Sequence, residues 1–331
     1  MKYVQVDAGR EDPVDGRVRV SAIGVGCWQF GSADWGYGKA YGETTAGEIV
    51  HTALELGINL FDTAEAYARG ASEAILGRAL QGRRDQAFIA TKFTPAVPTA
   101  SRVAEHGRQS AHRLGVSVID LYQIHWPNPV FPLRPQFDGM RTLLDEGIIR
   151  HVGVSNFGAD RWAAADDALG RPVLSNQVHF LLLSRKPDQA NVPYAQQNDR
   201  IVIAYSPLEM GVLGGKYSAS NPPRGSARQR SPLCLPENLE RAEPVIDTVR
   251  RIAGAHDATP AQVALAWLIR KPNVVVIPGA STVDQLRHNA AAGDLDLTDA
   301  EADELTTASD AFTPISNVDT AKGLWRNRRP A

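Results

Sequence analysis

Short apolar runs rich in β-branched residues alternate with longer amphipathic stretches along most of this chain. The runs that predict strands are "SAIGVGCW" (21–28), "INLFD" (58–62), "AFIATKF" (87–93), "IDLYQIHW" (119–126), "IRHVGVSNF" (149–157), "VLSNQVHF" (173–180), "RIVIAYSP" (200–207) and "NVVVIPGA" (273–280). Most of the intervening segments carry apolar residues at helical spacing, as in "TAGEIVHTALELG" at 45–57. Eight strands, each followed by a helix, predict an α/β fold of the (β/α)8 TIM-barrel type.

The ends of the chain extend this pattern. "KYVQV" at 2–6 and "RVRV" at 17–20 predict an N-terminal β-hairpin across the bottom of the barrel. "LTDAEADELTTASDAF" at 297–312 starts with a capping box and predicts an extra C-terminal helix. We expect one domain over 1–331, with a basic tail at 312–331.

One segment interrupts the alternation of strands and helices. Residues 207–239 are rich in Pro, Gly, Ser and Arg, and connections of this length in a compact domain are usually functional or disordered. A long loop after the seventh strand would lie on the catalytic rim of a barrel.

A doubly wound open sheet is the competing architecture. Such a sheet normally carries Gly-x-Gly-x-x-Gly after its first strand, so that the backbone can approach a pyrophosphate. Here the corresponding stretch is "GVGCWQFG" at 24–31, in which Cys27, Trp28 and Phe30 are too bulky for that contact. The sequence therefore favours the barrel.

The charge and composition of the chain indicate which kinds of molecule it can bind. The chain has 331 residues, of which 43% are hydrophobic, and its 35 Lys and Arg against 37 Asp and Glu give a formal charge of -2. No global field attracts nucleic acid or an anionic membrane, so we expect small molecules or proteins as partners. A monomer is the default expectation. Two distant cysteines and an N-terminus without an apolar run predict a reduced, cytoplasmic protein.

Polar residues follow the apolar part of most predicted strands. In a barrel the carboxyl ends of all strands face one rim, so these side chains would converge although they are distant in sequence. They are Asp62 and Tyr67 after strand two, Lys92 in strand three, His125 in strand four, Ser155 and Asn156 in strand five, Gln177 in strand six, and Tyr205 and Ser206 in strand seven.

Four of these residues suggest proton transfer. A lysine in a covered strand needs a partner for its charge, and Asp62 can be that partner for Lys92. A nearby Lys lowers the pKa of a phenol from about 10, so Tyr67 would become a general acid near neutral pH. His125 would orient a carbonyl or relay the proton. Each residue alone has an ordinary structural explanation, but their convergence on one rim favours a shared site.

The same chemistry indicates hydride transfer to a carbonyl. An oxygen that gains negative charge as hydride reaches its carbon is stabilised by a neutral acid such as Tyr67. The chain has no His-Glu-x-x-His, Cys-x-x-Cys or Gly-x-Ser-x-Gly motif, so neither a metal nor an acyl nucleophile is expected. Because no side chain supplies hydride, a cofactor must.

The ordered strings "GINLFDTAEAYARGASE", "ATKF", "IHWPNP", "GVSNFG", "NQV", "AYSPL" and "IPGAS" closely resemble the aldo-keto reductases, over residues 17–310. The resemblance implies a barrel that binds NADP(H), occasionally NAD(H), without a Rossmann motif. It implies that Tyr67 donates the proton, that Lys92 and Asp62 adjust the acidity of Tyr67, and that His125 orients the substrate.

The resemblance also implies a cofactor site. Ser155, Asn156 and Gln177 would hold the nicotinamide carboxamide, and Tyr205 would stack on the ring. The full implied set is Gly26, Cys27, Trp28, Asp62, Ser155, Asn156, Gln177, Tyr205, Ser206, Pro207, Leu208, Gly211, Leu213, Lys216, Gly279, Ala280, Ser281, Thr282, Gln285, His288 and Asn289.

The chain departs from the family where many members place a cation beside the 2′-phosphate. "IPGASTVDQ" has no Lys or Arg, so that charge would come from Lys216 and one of Arg224, Arg228 or Arg230. We expect NADP(H) as the cofactor, with NAD(H) left open.

Two other functions compete with catalysis. The strings "GINLFDTAE" and "GAS" also resemble potassium-channel β subunits, which would imply a regulatory subunit with vestigial catalysis. Those subunits typically have Asn where this chain has His125, so the complete set of four residues favours turnover. A scaffold without cofactor is the third possibility.

The substrate pocket is expected to be aromatic. Trp28, Trp35, Phe93 and Trp126 lie near the expected rim, and their side chains would suit hydrophobic or aromatic aldehydes and ketones.

Overall fold

A closed parallel sheet forms the centre of the fold in this computed structural model, which describes residues 1–7, 17–315 and 318–321. The strands are, in chain order, β1 (Tyr3–Asp7), β2 (Arg17–Ser21), β3 (Val25–Gly26), β4 (Leu60–Asp62), β5 (Phe88–Phe93), β6 (Ile119–Ile124), β7 (Ile149–Ser155), β8 (Ser175–His179), β9 (Ile201–Tyr205) and β10 (Val274–Val276). Strands β1 and β2 form an antiparallel hairpin. Strands β3 to β10 form an eight-stranded sheet in which every strand pairs with its neighbours in chain order.

The sheet closes between its first and last strands. Parallel bridges join Ile23 to Val276 and Gly26 to Gly279, and the Gly24 N–H donates to the Val276 carbonyl at 2.8 Å. A Cβ at position 26 would lie 2.7 Å from the Ile277 carbonyl oxygen, so this close approach requires glycine. The (β/α)8 prediction is confirmed.

Helices cover the outside of the sheet. They are α1 (Glu43–Glu55), α2 (Ala71–Ala79), α3 (Ala100–Leu114), α4 (Leu133–Asp145), α5 (Ala159–Leu169), α6 (Lys186–Gln189), α7 (Asn191–Gln197), α8 (Ser226–Gln229), α9 (Pro236–Ala255), α10 (Pro260–Ile269), α11 (Val283–Ala291) and α12 (Asp299–Ala311). The extra helix α12 starts with the expected capping box: the Glu301 N–H donates to the Thr298 hydroxyl, and the Thr298 N–H donates to the Glu301 carboxylate. None of the helices in the described ranges is long and apolar enough to cross a membrane.

The connection after β9 is shorter than the sequence predicted. It ends at residue 235, because helix α9 starts at Pro236, inside the segment 207–239 that was expected to be a loop. Pro236 lies in the first turn, where its missing N–H costs nothing, but Pro244 lies inside the helix and hides the helical pattern. Part of the tail expected at 312–331 lies outside the described residues.

The apolar core has two layers. Most buried residues lie between the sheet and the helices, whereas a second cluster fills the inside of the barrel. In that inner cluster, Val6, Val18 and Val20 from the hairpin pack with Leu60 and Leu121, at the amino-terminal part of the barrel. The hairpin therefore covers the bottom of the barrel, as predicted, and leaves the opposite rim open.

Helices α2 and α3 meet at a glycine. A Cβ at Gly77 would lie 2.0 Å from the carbonyl oxygen of Leu114, which is backbone and cannot rotate away. A Cβ at Gly47 in α1 would have no atom of the described residues within 4 Å, apart from its chain neighbours and the backbone of its own helix.

We predict that Gly77→Ala destabilises the protein and that Gly47→Ala stabilises it. Overpacking of this kind costs about 1–3 kcal/mol, whereas replacing an unobstructed helical glycine by alanine gains about 0.5–1 kcal/mol. Thermal unfolding of both variants measures the difference. Equal melting temperatures would mean that α2 and α3 are not packed this closely.

Candidate active site

A cavity of about 920 Å³ opens at the carboxyl ends of the strands. This volume lies within the range of sites for small molecules and cofactors. The predicted residues that line it are Gly26, Trp28, Trp35, Asp62, Tyr67, His125, Trp126, Ser155, Asn156, Gln177, Tyr205, Ser206, Pro207, Leu208, Gly211, Lys216, Gly279, Ser281, Gln285, His288 and Asn289. The strand ends therefore bring most of the predicted site together.

Lys92 lies at the base of this cavity, with no exposed surface. Its ammonium donates to the Asp62 carboxylate at 2.6 Å, the Thr63 carbonyl at 2.8 Å and the Tyr67 phenol oxygen at 3.2 Å. A lysine has three N–H donors, so these bonds use all of them. The Tyr67 oxygen is an acceptor toward Lys92, and its own proton remains free to point into the cavity.

The second oxygen of Asp62 is held by two amides. Gln177 on β8 donates to it at 2.7 Å, and Gln123 on β6 donates at 3.4 Å. Gln123 was not predicted. It lies opposite Lys92 in the β5–β6 register and two residues before His125, so strict alternation along β6 is the signal that would have found it.

Burial changes the proton affinities of this cluster. It lowers the pKa of Lys92, but the Asp62 carboxylate and the Tyr67 phenol raise that pKa by more, to above its ordinary value of 10.5. For Tyr67, burial raises the pKa most, the Lys92 ammonium lowers it and Asp62 raises it, which leaves the pKa above its ordinary value of 10.

The expectation that Lys92 would bring the pKa of Tyr67 below 10 is therefore wrong for this state of the protein. The ammonium acts in the expected direction, but removal of the phenol from water and the Asp62 charge outweigh it. Tyr67 keeps its proton at neutral pH.

His125 lies beside Tyr67, with their rings edge to face at 5.6 Å. Burial, with the Lys92 charge as a smaller cause, lowers the pKa of His125 to about 3. At neutral pH the imidazole is therefore uncharged, which suits it to orient a carbonyl by hydrogen bonding and not to supply the proton. Its Nδ1 has no hydrogen-bond partner within the described part of the chain.

A cluster of amides and hydroxyls lines another part of the cavity. Ser155 donates its hydroxyl to the Gln177 carbonyl at 2.8 Å, and the Asn156 amide donates to the Ser155 hydroxyl at 3.1 Å. The Tyr205 phenol donates to the Asn156 side-chain carbonyl at 3.0 Å, and its ring stacks on His179 at 5.3 Å. One face of Tyr205 is thus already occupied by protein.

The far end of the cavity lies at the start of helix α11. Thr282 caps this helix by accepting from the Gln285 N–H at 3.1 Å, and the Ser281 N–H donates to the Gln285 side chain at 2.8 Å. Lys216 and Arg228 also line the cavity. Neither forms an ion pair with a carboxylate of the described residues.

The sequence of this chain matches a known protein family. The aldo/keto reductase family model covers residues 22–310. The chain belongs to this family. An uncharacterized oxidoreductase of Mycobacterium tuberculosis is 52% identical over 316 residues, which are 96% of this chain and 95% of that protein.

Two other relatives are more distant. Chloroplastic pyridoxal reductase of Arabidopsis thaliana is 34% identical over 314 residues, covering 89% of this chain and 84% of its own. An aldo-keto reductase of Klebsiella pneumoniae, crystallised with NADPH, superposes with a TM-score of 0.71 at 27% identity and covers 96% of this chain and 98% of its own.

Some predicted residues of this aldo/keto reductase do not face the cavity. Lys92 is beneath it, and Thr282 is a helix cap. The side chains of Cys27, Leu213 and Ala280 are buried in the outer core. The prediction that Phe93 walls the pocket is wrong, because β5 alternates: Lys92 points into the barrel, and Phe93 points outward to Tyr122, with ring centroids 5.6 Å apart.

Other lining residues were not assigned from the sequence. They are Gln29, Ala66, His179, Glu209, Met210, Gly214, Ser231, Thr259, Ala261, Ile277 and Pro278. His179 was detectable, because it follows Gln177 on the same face of β8. Thr259 and Ala261 come from the start of helix α10, whose approach to the rim the sequence pattern does not encode.

We predict that Lys92→Met destabilises the protein by about 3–5 kcal/mol, because it leaves the Asp62 charge buried without its ionic partner. The double variant Lys92→Met/Asp62→Asn, which removes that charge, should recover part of the loss. Lys39→Met, at an exposed position, serves as the control.

Denaturant unfolding of all three variants measures these differences. A double variant no more stable than Lys92→Met would contradict the pairing.

Proposed function

We propose that this aldo/keto reductase reduces aldehyde or ketone carbonyls to alcohols with NADP(H), and that Tyr67 is the proton donor. The observation that carries the proposal is the bonding of Lys92. Because its ammonium donates to Asp62, Thr63 and Tyr67, the phenol oxygen accepts from Lys92 and the phenol proton is directed away from it.

Each of the four residues then has one role. Tyr67 gives its proton to the carbonyl oxygen as negative charge develops there. Lys92 stabilises the phenolate that this step leaves behind, and Asp62 keeps the lysine charged. Uncharged His125 holds the carbonyl beside Tyr67 by a hydrogen bond, which fixes the oxygen within reach of the phenol.

The cavity fits a nicotinamide dinucleotide. When bound, NADPH supplies the hydride that reduces the carbonyl carbon. Ser155, Asn156 and Gln177 offer the donors and acceptors that a carboxamide needs, and Tyr205 offers the face opposite His179 for stacking. Glycines at 26 and 279 keep side-chain bulk away from the adjoining strand ends.

The charges in the cavity wall agree with a cofactor that carries a 2′-phosphate. Lys216 and Arg228 line the cavity and pair with no carboxylate of the described residues. Arg228 donates to the Met210 and Arg224 carbonyls, which are neutral, so both positive charges are available to phosphate oxygens. The Klebsiella relative was crystallised with NADPH, which supports the same cofactor here. We therefore favour NADP(H) over NAD(H).

The substrate side of the cavity is aromatic. The ring centroid of Trp28 lies 5.1 Å from that of Trp35 and 6.3 Å from that of Tyr67. The ring centroids of Trp126 and His125 are 4.6 Å apart. Flat apolar walls on both sides of the acid suit aromatic and other hydrophobic aldehydes or ketones. The Arabidopsis relative is named for an aromatic aldehyde, pyridoxal.

Nothing in the comparisons favours the channel β-subunit alternative. The presence of His125 with Asp62, Tyr67 and Lys92 supports turnover instead of a regulatory role. Cytoplasmic location and a monomeric state stay predictions.

We predict that Tyr67→Phe lowers kcat for an aromatic aldehyde by roughly 10²–10⁴-fold and leaves NADPH affinity unchanged, because the variant lacks only the acid. Oxidation of NADPH and of NADH by the purified protein gives kcat, and fluorescence titration gives the affinity. Tyr194→Phe, which also loses a phenol hydrogen bond but on helix α7, is the matched control.

A wild-type kcat in Tyr67→Phe would show that Tyr67 is not the proton donor. Cofactor binding without oxidation by any carbonyl in the wild type would support the regulatory alternative.

A further inference from the structure

We propose that Glu65 is a positioning residue that holds Tyr67 on Lys92, and that its bond to His106 makes this positioning depend on pH. This inference rests on the proposed role of Tyr67 as the proton donor. Glu65 does not line the cavity, so it would act only through Tyr67.

The chain between Asp62 and Tyr67 continues alongside β5. The Thr63 N–H donates to the Ala90 carbonyl at 2.8 Å, and the Glu65 N–H donates to the Lys92 carbonyl at 3.1 Å. The segment that presents Tyr67 is therefore bonded through its backbone to the strand that presents Lys92.

Beyond Glu65 the chain makes an unfavourable turn. Ala68 and Arg69 directly follow Tyr67 and have φ angles of 48° and 56°, a left-handed conformation that non-glycine residues seldom adopt. Such a conformation persists only where surrounding contacts impose it. The contacts that precede Tyr67 therefore matter for where its ring lies.

The Glu65 side chain makes two of these contacts. One carboxylate oxygen accepts from the Thr94 N–H at 2.6 Å, and the other lies 2.7 Å from His106 Nδ1 on helix α3. Thr94 is two residues after Lys92. Glu65 thus ties the Tyr67 segment to both the Lys92 strand and helix α3, and only 12% of its side chain is exposed.

The bond to His106 can respond to protons, because 38% of that side chain is exposed. Its hydrogen bond to Glu65 is the main cause that raises the pKa of His106 above 6.5, against burial and the charges of Arg113 and Arg102. Burial raises the pKa of Glu65, but the hydrogen bonds from His106 and Thr94 lower it by more.

Other charged groups face this pair. Arg113 on α3 lies 4.0 Å from Glu65 but is bonded to Glu73 on α2 at 2.5 Å, and the buried Tyr122 on β6 lies among them. Arg113 is therefore already engaged and does not replace His106 as the hydrogen-bond partner of Glu65.

The sign of the pH effect follows from the raised pKa of His106. The charged pair is complete at pH values below about 6.5 and is lost as pH rises through the higher pKa of the folded state. The pKa of Tyr67 lies above 10, so its own ionisation is a separate event at higher pH.

The first test is kcat against pH for the wild type, His106→Gln and His112→Gln. The wild type should show a partial decline as pH rises through the pKa of His106, which lies above 6.5. His106→Gln should lack that decline. His112→Gln, at an exposed position of the same helix, should retain it. A decline that survives in His106→Gln would overturn the pH dependence.

The second test compares Glu65→Ala with Glu65→Gln. Glu65→Ala should lower kcat by roughly 10- to 100-fold with unchanged NADPH affinity, because small displacements of reacting groups cost that much. Glu65→Gln can still accept from Thr94, so it should keep most of kcat and lose the pH-dependent decline. Wild-type kcat in Glu65→Ala would overturn the positioning role.

A crystal structure of Glu65→Ala tests the same inference without turnover. The Tyr67 phenol should be displaced from the Lys92 ammonium. If the Lys92–Tyr67 bond were retained at 3.2 Å, the inference would be overturned, whether or not the protein reduces carbonyls. If the phenol were displaced but the wild-type protein reduced no carbonyl, only the proposed function would be contradicted.

Discussion

The Lys92 ammonium is buried completely, and a buried charge is tolerated only when its donors are paired. All three N–H groups find acceptors on the segment from Asp62 to Tyr67, and two amides from β6 and β8 hold the second oxygen of Asp62. Four strands of the barrel therefore converge on one ion pair. The position of the Tyr67 phenol depends on this pair, and the Lys92 charge adds to the burial that keeps His125 uncharged.

The balance of electrostatic effects around Tyr67 favours an acid that keeps its proton. Burial and Asp62 raise the pKa of the phenol, while Lys92 opposes them. Such a phenol is protonated at neutral pH, and in the proposed mechanism the adjacent ammonium stabilises the phenolate that forms as the proton leaves. His125 complements it, because a pKa of about 3 leaves its imidazole uncharged beside the developing negative charge.

Much of this was readable from the sequence, because strand alternation and the common rim of a barrel determine which side chains meet. Asp62, Lys92 and Gln177 could be found in that way. Phe93 was wrongly predicted to line the pocket. It follows Lys92 on β5, and because the Lys92 side chain points into the barrel, alternation turns the Phe93 side chain outward. The pKa of Tyr67 was predicted to fall but is raised, because burial of the phenol is the largest effect and depends on how the loops pack. Glu65 was missed because its partners, Thr94 and His106, are identified only by three-dimensional contacts, whereas alternation along β6 would have found Gln123.

The most direct test is a titration of the Tyr67 phenol itself. The tyrosinate absorbance of the wild-type protein, after subtraction of the same signal from Tyr67→Phe, isolates its ionisation among the other tyrosines. We predict a midpoint above pH 10, since burial and Asp62 outweigh Lys92. A midpoint below pH 10 would contradict this balance, because it would show that the lysine charge dominates.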